Sequence, residues 1–227
     1  MRTAAILPIK RFAQAKQRLG ASVVDTLRLE LTRAMVGDVL AALTETASIE
    51  RTIVITGEPS VADTARAQGA IVIDDTAQRG QSAAVTLGVE RALAEGMERA
   101  LCIPGDCPTL DPAELEALLS APASRQPEVV IIPDRHGTGT NGLLLAPPEV
   151  IPPSFGPDSC ERHRELAHAA GVVYRIERPT SLLLDIDTGE DLTALRERLS
   201  GEPIRAPRTR AVLDSSQALW PAFSPAA

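Results

Sequence analysis

Two rhythms of apolar and polar positions alternate from Thr3 to Pro133. Short, nearly unbroken apolar runs predict strands over Thr3–Ile9, Thr52–Thr56, Ala70–Ile73, Arg99–Pro104 and Val129–Pro133. Such runs suit strands covered on both faces. Between them, apolar residues recur every three or four positions. Val24, Leu27, Leu31, Met35 and Val39 predict an amphipathic helix over Val24–Leu43, with Glu30, Arg33 and Asp38 on its wet face. An Ala-rich helix ends at Gln68. A third starts at Ser82 as N-cap and runs to about Glu95, with Val85, Val89 and Ala92 inward. A fourth is capped by Asp111, with Pro112 first and Glu114 third. Strand–helix alternation of this kind predicts an α/β fold, a mostly parallel central sheet flanked by helices.

The later chain is less regular. Strands are expected at Leu143–Ala146, Val172–Ile176 and Ser181–Leu184. Helices are expected from Asp158-Ser159 to about Ala170, and after Thr188, whose cap has Asp191 at its third position. One domain is expected over 1–200. From Gly201 to Ala227 a Pro-, Ala- and Ser-rich tail looks loosely ordered, with Trp220 and Phe223 able to pin it to the body or to a second subunit.

Composition narrows the function. Apolar residues make up 44% of 227 positions but aromatics only 2%, so the core is aliphatic and no base-stacking platform is available. A net charge of −7 also argues against a nucleic-acid partner. The three cysteines, Cys102, Cys107 and Cys160, form neither a zinc site nor a disulfide framework. No apolar run approaches the ~18 residues of a membrane span. Met1-Arg2 leads into a strand rather than a cleavable leader. A soluble cytoplasmic protein is expected.

The candidate chemistry sits where strands end. Leu101–Ile103 stops at Pro104-Gly105, followed by Asp106. A carboxylate at the C-terminal end of a strand in an open α/β sheet lies at the ligand crevice, and hard oxygen donors there suit Mg²⁺. A helix-capping role is the plainer alternative, but Asp111 fills it better. Asp185 and Asp187 alternate along an expected strand, so one faces the crevice and the other bonds locally. Lys10, Arg11, Lys16 and Arg18 crowd the end of the first strand. They form either a solvated loop or a grip for a polyphosphate. Gly80 permits close approach, and Gln81 and Ser82 are placed to touch a nucleotide, unless this is ordinary capping. In 134–142, Thr138 and Thr140 beside glycines make an oxyanion pocket or a plain hairpin. Gly156 and Ser159 flank the first turn of a helix that can hold a phosphate or carboxylate, with charge from Arg162, His163 and Arg164 nearby.

Ile9-Lys10, Lys16-x-Arg18-Leu19, Pro104-Gly105-Asp106-x-Pro108, Gly137-Thr138-Gly139-Thr140-Asn141, Phe155-Gly156-Pro157-Asp158-Ser159-x-x-Arg162-His163 and Asp185-x-Asp187-Thr188 occur in that order. This series resembles the CofC/FbiD guanylyltransferases of coenzyme F-420 biosynthesis, over residue 4 to about 199. The resemblance implies a single Rossmann-like nucleotidyltransferase domain of the nucleotide-diphospho-sugar transferase kind. It implies transfer of GMP from GTP to a phosphorylated three-carbon acid: phosphoenolpyruvate, with 2-phospho-L-lactate and 3-phospho-D-glycerate as alternatives. It implies that Thr140, Gly156 and Ser159 hold the acid's phosphate and that Asp106, Asp185 and Asp187 carry Mg²⁺. Together with the basic cluster, Asp106, Lys16 and Arg18 become the expected catalytic set, and Lys10, Gln81, Ser82 and Arg162 further substrate contacts. Another nucleotidyltransferase, a non-catalytic phosphometabolite-binding protein and a homodimer stay open. An NAD-binding protein is disfavoured, because no Gly-x-Gly-x-x-Gly follows the first strand.

Overall fold

A computed structural model describes residues 1–14, 16, 18–19, 23–120, 127–201 and 206–216. Trp220 and Phe223 lie outside the described residues. Seven strands form one sheet: β1 (Thr3–Ile9), β2 (Arg51–Thr56), β3 (Ile71–Asp74), β4 (Arg99–Cys102), β5 (Glu128–Pro133), β6 (Thr140–Ala146) and β7 (Val173–Ile176). Their spatial order is β3-β2-β1-β4-β6-β5-β7. β6 is antiparallel to both neighbours; the other pairings are parallel.

The described residues form seven α-helices: α1 (Asp25–Glu45), α2 (Pro59–Ala67), α3 (Gln81–Ala94), α4 (Pro112–Ser120) and α5 (Ser159–Ala169), which flank the sheet, and α6 (Gly189–Gly201) and α7 (Pro207–Ser215). Period-two alternation sorts each strand between two cores. Ala5, Leu7, Val54 and Leu101 join Val39, Leu43, Val61 and Leu115 of α1, α2 and α4. Ala4, Ile6, Ile53 and Cys102 join Val85, Val89 and Ala167 of α3 and α5. Burying strands on both faces explains their unbroken apolar character.

Several expectations change. Ser181–Leu184 is not a strand: Thr180–Leu182 is a 3-10 turn. Glu114 clamps it, accepting from the Thr180 hydroxyl (2.6 Å) and the Ser181 N–H (2.8 Å) rather than closing a capping box. Second, Ser82 is not the N-cap of α3. Gly80 holds that position at φ 98°, a left-handed geometry that favours glycine. Third, part of the tail is structured. The first half of α1 (Leu27, Leu31, Met35) builds a third core with Leu192, Leu195 and Leu199 of α6 and Leu213 of α7. Asp38, expected on a wet face, is 4% exposed. Its carboxylate accepts the N–H groups of Arg208 (3.2 Å) and Thr209 (2.8 Å), supplying from α1 the cap that α7 lacks.

Candidate active site

A cleft of about 440 Å³ opens at the C-terminal ends of β1 and β4. The turn after β4 reaches it because residue 105 is glycine: a Cβ there would run into Ile9 Cδ1. Lys10, Arg11, Lys16, Gly80, Gln81, Asp106 and Asp187 are among its lining. Gly57, Asp75 and Gln78 also line it and carried no recognisable signal in the sequence. Arg18 is exposed and does not line the cleft, so its expected catalytic role gains no geometric support.

Asp106, Asp185 and Asp187 converge: one carboxylate oxygen from each lies within 4.8 Å of the others. Without a strand at 181–184, the alternation expected for Asp185 and Asp187 does not apply. Both carboxylates turn toward Asp106. The segment is strung there by the Ile186 N–H to Asp106 C=O bond (3.1 Å) and by Asn141, whose Nδ2 donates to Leu182 C=O (2.8 Å) and Asp185 Oδ1 (3.1 Å). Asn141 is aimed by an irregularity in the sheet. Ile132 pairs with Gly142 but Pro133 with Thr140, which leaves Asn141 as the extra residue of a bulge. On the other side Asp191 accepts the N–H of Asp187 (3.0 Å) and of Thr188 (2.8 Å), while its second oxygen meets Arg135 (2.6 Å). The box between Thr188 and Asp191 follows the expected pattern; its use in fixing Asp187 does not appear in the linear pattern.

The triad fits a divalent cation. Asp106 Oδ1 is buried without a hydrogen-bond partner, a costly arrangement unless a cation coordinates it. Burial, and then the neighbouring Asp106, push the Asp185 carboxyl above its ordinary range, strain that a cation would relieve. Lys16 lies against the same group. Its ammonium contacts Asp106 and sits 2.5 Å from Asp187. Burial opposes its charge, but the two carboxylates outweigh burial and raise its pKa, so Lys16 stays cationic.

Thr140, Gly156 and Ser159 are not among the residues that line this cleft. Because β6 runs antiparallel, its first residue lies at the same sheet end as Asp106. The Cys160 N–H donates to Thr138 C=O (3.1 Å) and the Ser159 N–H to Gly156 C=O (3.1 Å), which ties the start of α5 to the hairpin. The Ser159 residue is 1% exposed, and its hydroxyl makes no hydrogen bond among the described residues. Gly156 adopts φ 114°. Asp158, the residue before α5, is left-handed and makes no side-chain cap bond.

Three further expectations are redirected. The Ser82 hydroxyl accepts the Phe155 N–H (2.9 Å) and so braces the loop that leads into α5. Arg162 donates to the Ser154 hydroxyl and carbonyl (both 3.1 Å) and to Pro157 C=O, holding the same loop. His163 adds no positive charge. It is fully buried, and burial, helped by Arg162, lowers its pKa to about 4.

A parallel sheet with one reversed strand, an acidic triad at the strand ends and a cleft facing a helix N-terminus define a nucleotidyltransferase-like site. A putative nucleotide-diphospho-sugar transferase of Desulfovibrio desulfuricans G20 superposes with a TM-score of 0.75 at 19% identity, covering 96% of this chain and 97% of that one. A 4-diphosphocytidyl-2C-methyl-D-erythritol synthase does so at 0.60 and 14%, covering 87% and 98%. Residues 3–203 match the family described as guanylyl transferase CofC like, and the chain belongs to that family of nucleotidyltransferases. A phosphoenolpyruvate guanylyltransferase of Conexibacter woesei is 47% identical over 94% of this chain and 96% of that protein. One of Rubrobacter xylanophilus is 40% identical over 84% and 92%.

Proposed function

We propose that this enzyme transfers GMP from GTP to phosphoenolpyruvate, releasing pyrophosphate, in the coenzyme F-420 route that its family resemblance implies. The observation that carries the reading is the position of the triad. It stands at the cleft lined by Lys10, Lys16 and Gln81, at the sheet end where β6 begins with Thr140. The choice of acid rests on the names of the relatives above.

The acceptor's phosphate is already the nucleophile. A phosphomonoester's second pKa is ~6, so no general base is required. One of its oxygens bonds to the α-phosphorus of GTP. The bond from that phosphorus to the bridging oxygen breaks, and its electron pair leaves with pyrophosphate. The barrier is the approach of two anions, which positioning and charge neutralisation lower. Lys10 and Lys16 steady the triphosphate. Gln81, at the N-terminus of α3, meets the nucleotide where the helix favours an anion. Thr140, Gly156 and Ser159 hold the acceptor in line. Mg²⁺, held by Asp106, Asp185 and Asp187, would neutralise charge between the reactants.

Purified protein is incubated with GTP, Mg²⁺ and phosphoenolpyruvate, 2-phospho-L-lactate or 3-phospho-D-glycerate, and the products are read by mass spectrometry. Pyrophosphate with the phosphoenolpyruvate–GMP adduct is expected. An adduct with a different acid alone would reassign the substrate. Binding without pyrophosphate from any acid would mean a sensor.

A further inference from the structure

His163 has no part in the chemistry above, yet it is 0% exposed and its two ring nitrogens face different partners. Nε2 lies 3.0 Å from the Ser154 backbone nitrogen. A backbone N–H can only donate, so Nε2 presents a lone pair. The ring is neutral, as burial requires, and its single proton is therefore on Nδ1. Nδ1 lies 3.1 Å from Thr140 Oγ1. With Nδ1–H as donor, the hydroxyl accepts there and its own proton turns away from the ring. The arrangement is stiff. Arg162 and Ser82 pin residues 154 and 155, and the Phe155 ring packs edge-on against the imidazole at 5.2 Å.

We propose that His163 is a positioning residue that fixes the Thr140 hydroxyl as a hydrogen-bond donor to an oxyanion of the acceptor, its phosphate in the reading above. This inference rests on that reading. A hydroxyl held as donor rewards a fully deprotonated phosphate and discriminates against a ligand that presents an O–H at the same point. His163 touches no reacting atom; it acts through Thr140.

Two substitutions separate its two bonds. The amide of His163→Gln reaches the Nε2 position, so it can still accept from Ser154 but leaves Thr140 without its donor. The amide nitrogen of His163→Asn falls at the Nδ1 position and keeps that donor. His163→Gln is expected to raise the KM for phosphoenolpyruvate about tenfold and leave the KM for GTP unchanged, with His163→Asn closer to the parent. In a Thr140→Val background His163→Gln should cost nothing more. Full additivity there, or equal losses in both KM values, would overturn the proposal. A further readout needs no substrate: ¹⁵N NMR of the parent protein should show His163 protonated at Nδ1 and bare at Nε2 at neutral pH. The opposite tautomer or a charged ring would also overturn it. Absence of turnover with every acid would instead defeat the functional reading and leave the tautomer result standing.

Discussion

In the function proposed above the site has a nucleotide wall and an acceptor wall, and the two are built on opposite plans. On the nucleotide wall Lys10 and Arg11 are exposed and form no ion pair among the described residues. Long side chains of this kind must be ordered by the ligand, at a cost of lost rotamer freedom. On the acceptor wall Thr140, Ser159 and His163 are buried, and Ser82, Arg162 and Asn141 are already committed to bonds that hold the walls in place. A triphosphate offers enough charge to order loose cations. A three-carbon acid has few atoms with which to pay ordering entropy, so its pocket must exist beforehand. The triad stands between the proposed walls, and Lys16, on the proposed nucleotide side, is tied into it.

Removing the junction should have the largest effect. Asp106→Asn is expected to lower kcat by about 10²–10³-fold or more while far-UV circular dichroism stays unchanged, since Oδ1 makes no bond that the fold needs. Chelation of divalent cations should mimic it. Near-normal turnover in that variant would remove Asp106 from the chemistry.

The preformed wall should carry a pH signature. His163 titrates at about 4 in the folded protein against an ordinary 6.5. Between those values the unfolded chain binds a proton that the native state refuses. Stability is therefore retained above pH 6.5 and falls as pH drops toward 4, by up to ~3 kcal/mol from this group. Urea midpoints of the parent and His163→Gln at pH 7 and 4.5 measure the difference; identical pH slopes would contradict the assignment.

Crossed substrate effects come next. Lys16→Ala should raise the KM for GTP about tenfold with little change for the acid, and Thr140→Val the reverse. Equal disturbance of both substrates by either variant would mean that the walls are not separate. The smallest effect is expected remote from both. Asp38→Ala should cost about 1–2 kcal/mol by uncapping α7, read as a lower unfolding midpoint with both KM values unchanged.

Much of the fold was legible because strands buried on both faces and helices buried on one leave different spacings. β1 matches its expected bounds, β6 begins three residues earlier than expected, and the other strands shift by a residue or two. The misreadings share one cause. Ser181–Leu184 is apolar like a strand, but its backbone partners are Glu114 and Asn141 side chains. α7 is polar enough to resemble a tail, and its buried side depends on Leu213 and on Asp38 from a distant helix. Neither partner is adjacent in the chain.

At the site, Asp106 was legible from its place after a buried strand, and the family resemblance implied the grouping with Asp185 and Asp187 that the fold brings within 4.8 Å. Which atoms of those residues remain available was settled by packing. The bulge at Asn141, the brace from Ser82 and the proton on His163 all depend on contacts between elements far apart in sequence. A linear pattern records the donors and acceptors a chain possesses; only folding consumes some of them and leaves others facing the cleft.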